Sequence, residues 1–295
     1  MKIGPTIIED TFAEAFSMRY TRLIVTAHDE FWLDAAVREF SGYGTSVIAC
    51  DAEVGLEKQL DSDSTFDGRP GASIMAFGFS ADALGRAVIQ RTGQCLMTCA
   101  TTAVFNGLFD TGDTIAAGKH LRYFGDGFQK SKLLGDRRFW RIPVMDGEFI
   151  IEEKFGVAKG VAGGNLMIQT IDQSTGLDAA RRAVKAISVL ENVITPFPGG
   201  VVRSGSKVGS RYKGLIASTS HTFCPTLKGR VESKVHDGAT CVYEIVIDGS
   251  DFDSVAAAMK AGISAAAGQG VVCISAGNYG GKLGKHHFHL RELLT

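Results

Sequence analysis

One structural unit recurs four times along this chain, and the repeat limits the possible folds more than any other feature. Each copy contains a β-rich run, a polar turn, an amphipathic alanine-rich helix and a second β-rich run. The predicted copies are Arg22–Ala27, Asp29–Phe40 and Thr45–Cys50; Ala72–Phe79, Ala81–Arg91 and Gln94–Cys99; Asn165–Ile171, Leu177–Leu190 and Val193–Phe197; and Thr240–Asp248, Asp251–Ala267 and Val271–Ala276. Two copies therefore lie in each half of the 295 residues.

Paired βαβ units with short connections are typical of the split-βαβ, ferredoxin-like fold. We therefore expect an α+β protein of two duplicated ferredoxin-like lobes, with antiparallel or mixed sheets and helices on one face of each. The runs Arg138–Pro143 and Glu148–Glu152 flank a turn and predict a hairpin at the lobe boundary. The lobes would then be residues 1–150 and 151–295. A doubly wound parallel sheet is the alternative, but it would usually carry a nucleotide-binding fingerprint.

Charge and hydropathy narrow the class of protein further. The 31 Lys and Arg against 32 Asp and Glu give a net charge of −1, which disfavours nucleic acid and anionic membranes as partners. The first residues show no signal-peptide pattern, and no run of about 20 apolar residues occurs. We expect a cytoplasmic protein.

The chain is rich in glycine, with 36 residues, yet the common glycine-based catalytic motifs are absent. The segment Gly277–Lys285 lacks the spacing of a phosphate-binding loop, and Gly125-Asp126-Gly127 does not continue into a dinucleotide fingerprint. No serine sits in a nucleophile elbow. NTPases, dinucleotide enzymes and serine hydrolases of the α/β class are disfavoured.

Histidines near the C-terminus are the best metal-ligand candidates, and they are weak ones. His287 and His289 would share one face of a strand, and His286 adds a third imidazole, but no carboxylate or thiolate set stands beside them. We expect a solvated strand and no metal.

The most informative residue is Glu244, which interrupts an otherwise apolar strand. Alternation places Cys241, Tyr243, Ile245 and Ile247 on the helix-facing side and Glu244 on the opposite side. If that side is covered, desolvation raises the pKa of the carboxyl, and the neutral acid can donate a hydrogen bond. Alternatively, Glu244 pairs with a cation of a neighbouring strand or faces water.

Two loops rich in glycine follow predicted strands of the third and fourth copies. Backbone without side chains allows a ligand to approach closely, and the polar side chains between the glycines could contact an anionic or heterocyclic group. Plain turns are the alternative interpretation. The candidate substrate-binding residues are Phe197, Gly199, Gly200, Ser206, Lys207, Asn278, Tyr279 and Lys282.

Several blocks spread over the whole chain together resemble one enzyme family, formylmethanofuran:tetrahydromethanopterin formyltransferase. These blocks are Glu9–Phe16, Gly44–Ile48, Asp67–Gly71, Val161–Asn165, Pro196–Gly200, Cys241–Ile247 and Ser275–Gly284. The resemblance implies a duplicated ferredoxin-like fold and no prosthetic group. It also implies transfer of a formyl group between a methanofuran-type amine and N5 of tetrahydromethanopterin, the two co-substrates.

The family's catalytic glutamate lies in a Cys-Val-Tyr-Glu-Ile-Val motif, which this chain matches at Glu244. The resemblance implies that protonated Glu244 donates a hydrogen bond to the oxyanion formed when N5 attacks the formyl carbon, with no covalent enzyme intermediate. The segment Cys50–Glu57 and the near-neutral charge depart from the archaeal pattern. Both favour a bacterial form, similar to the D subunit of a formyltransferase/hydrolase complex.

Two other functions and one assembly state remain open on the sequence. A non-catalytic scaffold within the hydrolase complex is the main alternative to an enzyme, and a folate-dependent formyltransferase is disfavoured because the usual folate motifs are absent. We expect a homodimer or homotetramer, since a sheet with helices on one face would leave a large apolar face bare.

Overall fold

The four long helices each begin after a residue whose side chain accepts hydrogen bonds from the first helical turn. Asp29, Ser80, Asp172 and Asp251 are these N-cap residues. Such a cap satisfies backbone N–H groups that the helix itself cannot pair. The helix starts are therefore specified locally, by an acidic or hydroxyl residue placed just before each apolar-periodic segment.

The computed structural model describes residues 1–295 and contains the following elements. The strands are β1 (Lys2–Ile3), β2 (Thr6–Ile8), β3 (Phe12–Thr26), β4 (Glu53–Leu60), β5 (Gly71–Gly78), β6 (Ala103–Asn106), β7 (Asp113–Ile115), β8 (Lys130–Leu134), β9 (Arg137–Val144), β10 (Gly147–Glu152), β11 (Phe155–Thr170), β12 (Val193–Ile194), β13 (Ser206–Val208), β14 (Ala217–Thr219), β15 (Cys241–Gly249), β16 (Val271–Ser275) and β17 (His286–His289). The α-helices are α1 (Glu30–Ser41), α2 (Ala81–Arg91), α3 (Ala117–Leu121), α4 (Gln173–Ile187) and α5 (Phe252–Ala266).

The chain forms two compact units. Unit 1 comprises Met1–Ser17 and Val161–Thr295, and unit 2 comprises Met18–Gly160. This division differs in two ways from the predicted lobes, residues 1–150 and 151–295. The boundary lies after Gly160 instead of after residue 150, and Met1–Ser17 belong to the same unit as the C-terminal part. The division into sequence lobes stays a prediction.

In unit 1, the strands β16, β11, β15 and β12 lie side by side in this order, and every neighbouring pair is antiparallel. Numbered along the chain from β11, this is the order 4-1-3-2 of a split βαβ pair. Helices α4 and α5 pack on β15 and bury a core that includes Leu166, Ile245 and Ile263. The third and fourth predicted copies are confirmed, except that the helix of the third copy begins at Gln173, four residues before the predicted Leu177, because Asp172 caps it there.

In unit 2, the strands β6, β3, β5 and β4 repeat the same antiparallel order. Helices α1 and α2 contact β5, and the core includes Phe40, Ile74 and Leu84. The predicted hairpin is also present, with β9 and β10 antiparallel and β10 parallel to β6. The α+β, duplicated ferredoxin-like fold is therefore confirmed.

Two predicted strands of unit 2 are wrong. Thr45–Cys50 forms a turn in which the N–H groups of Ala49 and Cys50 donate to the Ser46 carbonyl, and the strand begins only at Glu53. Gln94–Cys99 overlaps a π-helical turn at Thr92–Leu96 that continues α2, and the strand is Ala103–Asn106. Both segments are rich in β-forming residues, but the strands lie where the chain meets a hydrogen-bonding partner.

The uncovered apolar sheet face that we expected is absent at strand β5. All residues of β5 are buried, so both faces of this strand are covered within the chain. The prediction of an oligomer therefore needs support other than an uncovered face.

Candidate active site

Glu244 lies in the middle of β15, on the face opposite the helices. Its neighbours Tyr243 and Ile245 are buried in the core under α4 and α5, as the alternation predicts. The Tyr243 ring lies so close to Gly176 of α4 that a Cβ on this glycine would be 2.9 Å from it. The strand is therefore fixed from the helix side, and the Glu244 carboxyl is held on the other face.

Both edges of β15 are paired at this residue. Met167 of β11 is the register partner of Glu244 on one side. On the other side, Val202 exchanges two backbone hydrogen bonds with Glu244, of 2.7 and 3.0 Å. The bridge brings the segment after Val202 across the face that carries the carboxyl.

This segment and the turn beyond β14 enclose the carboxyl in a cavity of about 40 Å³. Such a volume is large enough for a few atoms of water size. Gly205 forms the closest wall, because a Cβ at this position would lie 2.8 Å from Glu244 Oε2. The lining residues are Met167, Val202, Arg203, Gly205, Thr219, Ser220, Phe223, Cys224, Val242 and Glu244.

The carboxyl of Glu244 has no ion-pair partner and no hydrogen-bond partner within the chain, so the predicted alternative of a pairing cation does not occur. Burial among Met167, Val202 and Phe223 raises the pKa of Glu244 to about 7. At neutral pH, a large fraction of the carboxyl is protonated. A neutral acid of this kind can donate a hydrogen bond to an oxygen that enters the cavity.

The first group of candidate binding residues lies on two segments. Phe197 precedes a short turn, Pro198–Gly200, in which Gly199 is exposed. Gly200 is buried against Val184 of α4, so its lack of a side chain serves packing. Ser206 and Lys207 begin β13, directly after Gly205 of the cavity wall. None of these residues lines the Glu244 cavity, and only the pair Ser206 and Lys207 directly follows a residue that does.

The second group lies on the segment Gly277–Gly284, which we call the glycine-rich loop. Asn278 donates hydrogen bonds from its side chain to Thr11 and to the Phe12 carbonyl and so anchors the loop. Tyr279 is close enough to Glu244 to respond to its charge: burial first, and then the Glu244 and Glu14 carboxylates, raise the pKa of the Tyr279 hydroxyl. Lys282 is exposed. The loop thus places one predicted residue, Tyr279, within electrostatic range of Glu244.

Several residues of the site were not predicted from the sequence. Met167, Val202 and Gly205 line the cavity but carry no chemical signal in the sequence. Glu14 is different, because its carboxylate accepts four N–H bonds from the glycine-rich loop. It stands between two alanines in a strand, the same pattern that marked Glu244, and could have been singled out on that ground.

A larger cavity of about 360 Å³ lies in unit 2, between β9, β10 and the segment after β6. Its central Arg137 pairs with Glu152 through two hydrogen bonds of 2.6 and 2.8 Å. Because the Glu152 carboxyl is engaged in this ion pair, the cavity offers less for acyl-transfer chemistry than the smaller cavity at Glu244.

The histidines near the C-terminus form β17, as the sequence predicts. His286 contacts the Ser17 hydroxyl, and His287 contacts the Gly284 carbonyl. No group of three or more potential ligands is close enough together to hold a metal ion.

The chain matches two family models that together cover nearly all of it. Residues 1–144 match the family described as formylmethanofuran-tetrahydromethanopterin formyltransferase, and residues 147–293 match its proximal lobe. The chain belongs to this family. It is a formyltransferase, an enzyme that transfers a one-carbon acyl group. Membership of this family favours the enzyme over the alternative of a non-catalytic scaffold.

Relatives in bacteria and archaea carry the same family name at full length. The formyltransferase of Methylobacillus flagellatus is 51% identical, with 100% of both chains covered. That of Methanocaldococcus jannaschii is 50% identical, with 99% of both chains covered. The chain is thus about equally similar to a bacterial and to an archaeal member of the family.

Two solved structures are closely similar. The formyltransferase of Methanosarcina barkeri superposes with a TM-score of 0.94 at 45% identity and covers 100% of both chains. A chain of the formyltransferase/hydrolase complex from Methylorubrum extorquens, determined with methylofuran, superposes with a TM-score of 0.96 at 46% identity, covering 100% of this chain and 99% of the other.

None of the helices has the length and the hydrophobicity that a membrane span requires.

Proposed function

We propose that this formyltransferase moves a formyl group directly between a formylmethanofuran-type coenzyme and N5 of tetrahydromethanopterin, with protonated Glu244 stabilising the oxyanion. The observation that carries the proposal is the unpaired Glu244 carboxyl in its cavity, with a pKa raised to about 7 by burial. Since the group is a hydrogen-bond donor when protonated, it suits an oxygen that gains negative charge during reaction.

In the proposed reaction, the lone pair of the pterin N5 forms a bond to the formyl carbon, and the carbonyl electrons move to oxygen. The O–H of Glu244 donates a hydrogen bond to this oxygen. As the carbonyl re-forms, the bond from carbon to the methanofuran-type nitrogen breaks, and the departing amine takes up the proton lost from N5. No covalent bond to the enzyme forms, and both coenzymes are present together.

The names of the relatives and the methylofuran in the Methylorubrum extorquens complex support the choice of substrates for this chain. We extend to it a methanofuran analogue and tetrahydromethanopterin as co-substrates, with no permanently bound cofactor. Subunits of a hydrolase complex are proposed partners, in line with that same structure. The remaining candidate binding residues and a cytoplasmic location stay predictions.

Substitution of Glu244 tests the proposal. We expect Glu244→Ala to lower kcat by about 100- to 1,000-fold, because one oxyanion donor is lost. Wild-type kcat should fall as pH rises through 7, since only the protonated carboxyl donates, whereas the Glu244→Gln variant should show no such decline. The measurement is formyl transfer to tetrahydromethanopterin from pH 5.5 to 8.5.

The exposed Glu148, which pairs with Arg141, provides a matched control. Glu148→Gln makes the same chemical change away from the cavity and should retain wild-type kcat and pH dependence. A Glu244→Gln variant with an unchanged rate and pH profile would contradict the oxyanion role. Transfer to tetrahydrofolate at an equal rate would contradict the choice of acceptor.

A further inference from the structure

Glu14 is a buried carboxylate with an unusual set of partners. Only 1% of its surface is exposed, and no cation of the chain forms an ion pair with it. Instead, Oε2 accepts the N–H groups of Tyr279 and Gly281 at 2.7 and 2.9 Å, and Oε1 accepts those of Leu283 and Gly284 at 2.6 Å each. All four donors belong to the glycine-rich loop.

These hydrogen bonds favour an ionised carboxylate. Burial by itself would raise the pKa of Glu14, but the four N–H donors outweigh it and hold the pKa below its usual value. Hydrogen bonds from N–H to a charged carboxylate are stronger than neutral ones. Because these N–H groups point inward at the protein's own carboxylate, they are not available to cradle an anionic ligand.

The glycines of the loop allow the chain to fold around this carboxylate. Gly280 and Gly281 have φ angles of +71° and +74°, a region that favours glycine. A Cβ on Gly284 would lie 2.4 Å from the Ala15 carbonyl and 2.8 Å from Glu14 Cγ. Part of the glycine-rich sequence is therefore needed for the loop to close on Glu14.

Other contacts fix the beginning of the loop. Asn165 accepts the N–H of Gly277 at 2.6 Å and donates to its carbonyl at 3.1 Å. The N–H of Glu14 also donates to the Gly277 carbonyl. The backbone of Tyr279 is thus held two residues further along by Glu14, and its half-buried phenol ring packs 6.3 Å from the Phe16 ring. Ser275, two residues before the loop, and Glu244 are both register partners of Met167, so the loop leaves the sheet beside the strand position of Glu244. The Tyr279 hydroxyl also lies within electrostatic range of the Glu244 carboxyl.

We propose that Glu14 is a positioning residue for formyl transfer: its carboxylate fixes the glycine-rich loop and thereby holds the Tyr279 phenol beside Glu244, where the phenol contacts the reacting coenzyme. This inference rests on the proposed function, because it assigns Tyr279 to the same reaction. Glu14 itself does not touch a substrate, and its effect passes through the loop backbone.

A double-mutant cycle tests the link between Glu14 and Tyr279. Tyr279→Phe should lower kcat/KM about tenfold, since it removes one hydrogen bond in the site. Glu14→Gln should lower it about 10- to 100-fold, because an amide cannot accept from both pairs of N–H donors and the phenol is displaced. The double variant should be no slower than Glu14→Gln alone. Losses that multiply would overturn the proposal.

A spectroscopic readout separates positioning from general loss of structure. Absorbance is measured against pH for the wild type and for Tyr279→Phe. The difference between the two curves reports the ionisation of the Tyr279 phenol alone. Because the Glu14 charge raises the pKa of this phenol, the same difference measured in the Glu14→Gln background should titrate at lower pH. An unchanged midpoint would contradict the proximity on which the proposal depends.

Gly280→Ala provides a second variant in case Glu14→Gln does not fold. It leaves Glu14 intact but strains the loop at a position where a Cβ has open space. We expect Gly280→Ala to lower kcat/KM in the otherwise wild-type enzyme. Combined with Tyr279→Phe, it should cause no further loss. Gly4→Ala is the matched control, because Gly4 also has a left-handed φ of +54° and open space but lies outside the loop. It should keep wild-type activity.

Glu57→Gln is the control for removal of a buried carboxylate, since Glu57 accepts from Arg22 and Ser73 in unit 2. It should lower stability without changing the Tyr279 titration. If Glu244→Ala loses activity while Glu14→Gln and Gly280→Ala keep it, the positioning role is wrong and the proposed function stands. If Glu244→Ala keeps activity, the proposed function itself fails.

Discussion

At the scale of single residues, two glutamates in similar sequence settings acquire opposite chemistry. Glu244 is buried and accepts no hydrogen bond, which raises its pKa to about 7, whereas Glu14 accepts bonds from four N–H donors, which lower its pKa despite burial. The difference arises from what covers each carboxyl. Both carboxyls lie within electrostatic range of the Tyr279 hydroxyl.

The raised pKa of Glu244 predicts a stability cost. The unfolded chain releases this proton near pH 4.5 and the folded chain near 7, so the folded state binds more protons between these values and loses stability as pH rises through them. We compare the free energy of unfolding of Glu244→Gln with that of wild type at the two pH values. The difference, variant minus wild type, should be up to about 3 kcal/mol more positive at pH 8 than at pH 4.5. Urea unfolding at pH 4.5 and 8 measures this change.

Glu148→Gln serves as the reference for this experiment, because its carboxyl lies in an exposed ion pair. Its stability relative to wild type should change little between the two pH values. A Glu244→Gln variant whose relative stability is the same at pH 4.5 and 8 would show that burial does not hold the proton on Glu244.

At the scale of elements, the helix starts follow local rules and the strand positions do not. Asp29 and Asp251 were placed at helix starts from sequence, and the structure shows their side chains capping α1 and α5. The strand predicted at Thr45–Cys50 has suitable residue types but no partner strand. Capping needs residues only a few positions away, whereas a strand needs a partner that is distant in sequence.

The α5 cap predicts a measurable stability effect. Asp251 accepts the Ser254 N–H at 2.8 Å, and burial, which alone would raise its pKa, is outweighed by hydrogen bonds that lower it. We expect Asp251→Ala to lower the free energy of unfolding at pH 7 by about 1–2 kcal/mol. Because the folded pKa is lowered, this contribution is lost as pH falls below about 4, and chemical unfolding at pH 7 and 3 should show it.

Asp253→Ala is the matched control, because Asp253 lies in the same first turn of α5 without being the cap. It should cost clearly less, through the helix dipole alone. Equal losses for the two variants would mean that the capping bonds add nothing beyond the charge.

At the scale of the whole molecule, the same 4-1-3-2 strand order occurs in both units, and the duplication read from the sequence is the architecture of the chain. The bare sheet face that first suggested an oligomer is not present at β5. Exposed apolar side chains provide a different reason for association. Every residue of the edge strand β8 is exposed, including Leu133, and the nearby Phe128 is 76% exposed.

We therefore still predict a homodimer or homotetramer. Light scattering at micromolar concentration should give two or four times the chain mass of 31.4 kDa. A dilution series is the internal control, since the mass of a specific oligomer stays at one value over a range of concentration and then falls. A particle of 31.4 kDa at micromolar concentration would contradict the prediction.

The sequence by itself determined the fourfold strand–helix repeat, the starts of α1, α2 and α5 and the face on which Glu244 lies, because periodicity and capping act over a few residues. Its family blocks also determined the enzyme class. Tertiary structure alone decided that Gly205 and Phe223 enclose Glu244, and that Glu14 binds a loop 265 to 270 residues away. Burial and long-range hydrogen bonds depend on which distant segments meet in space, and no local pattern specifies that meeting.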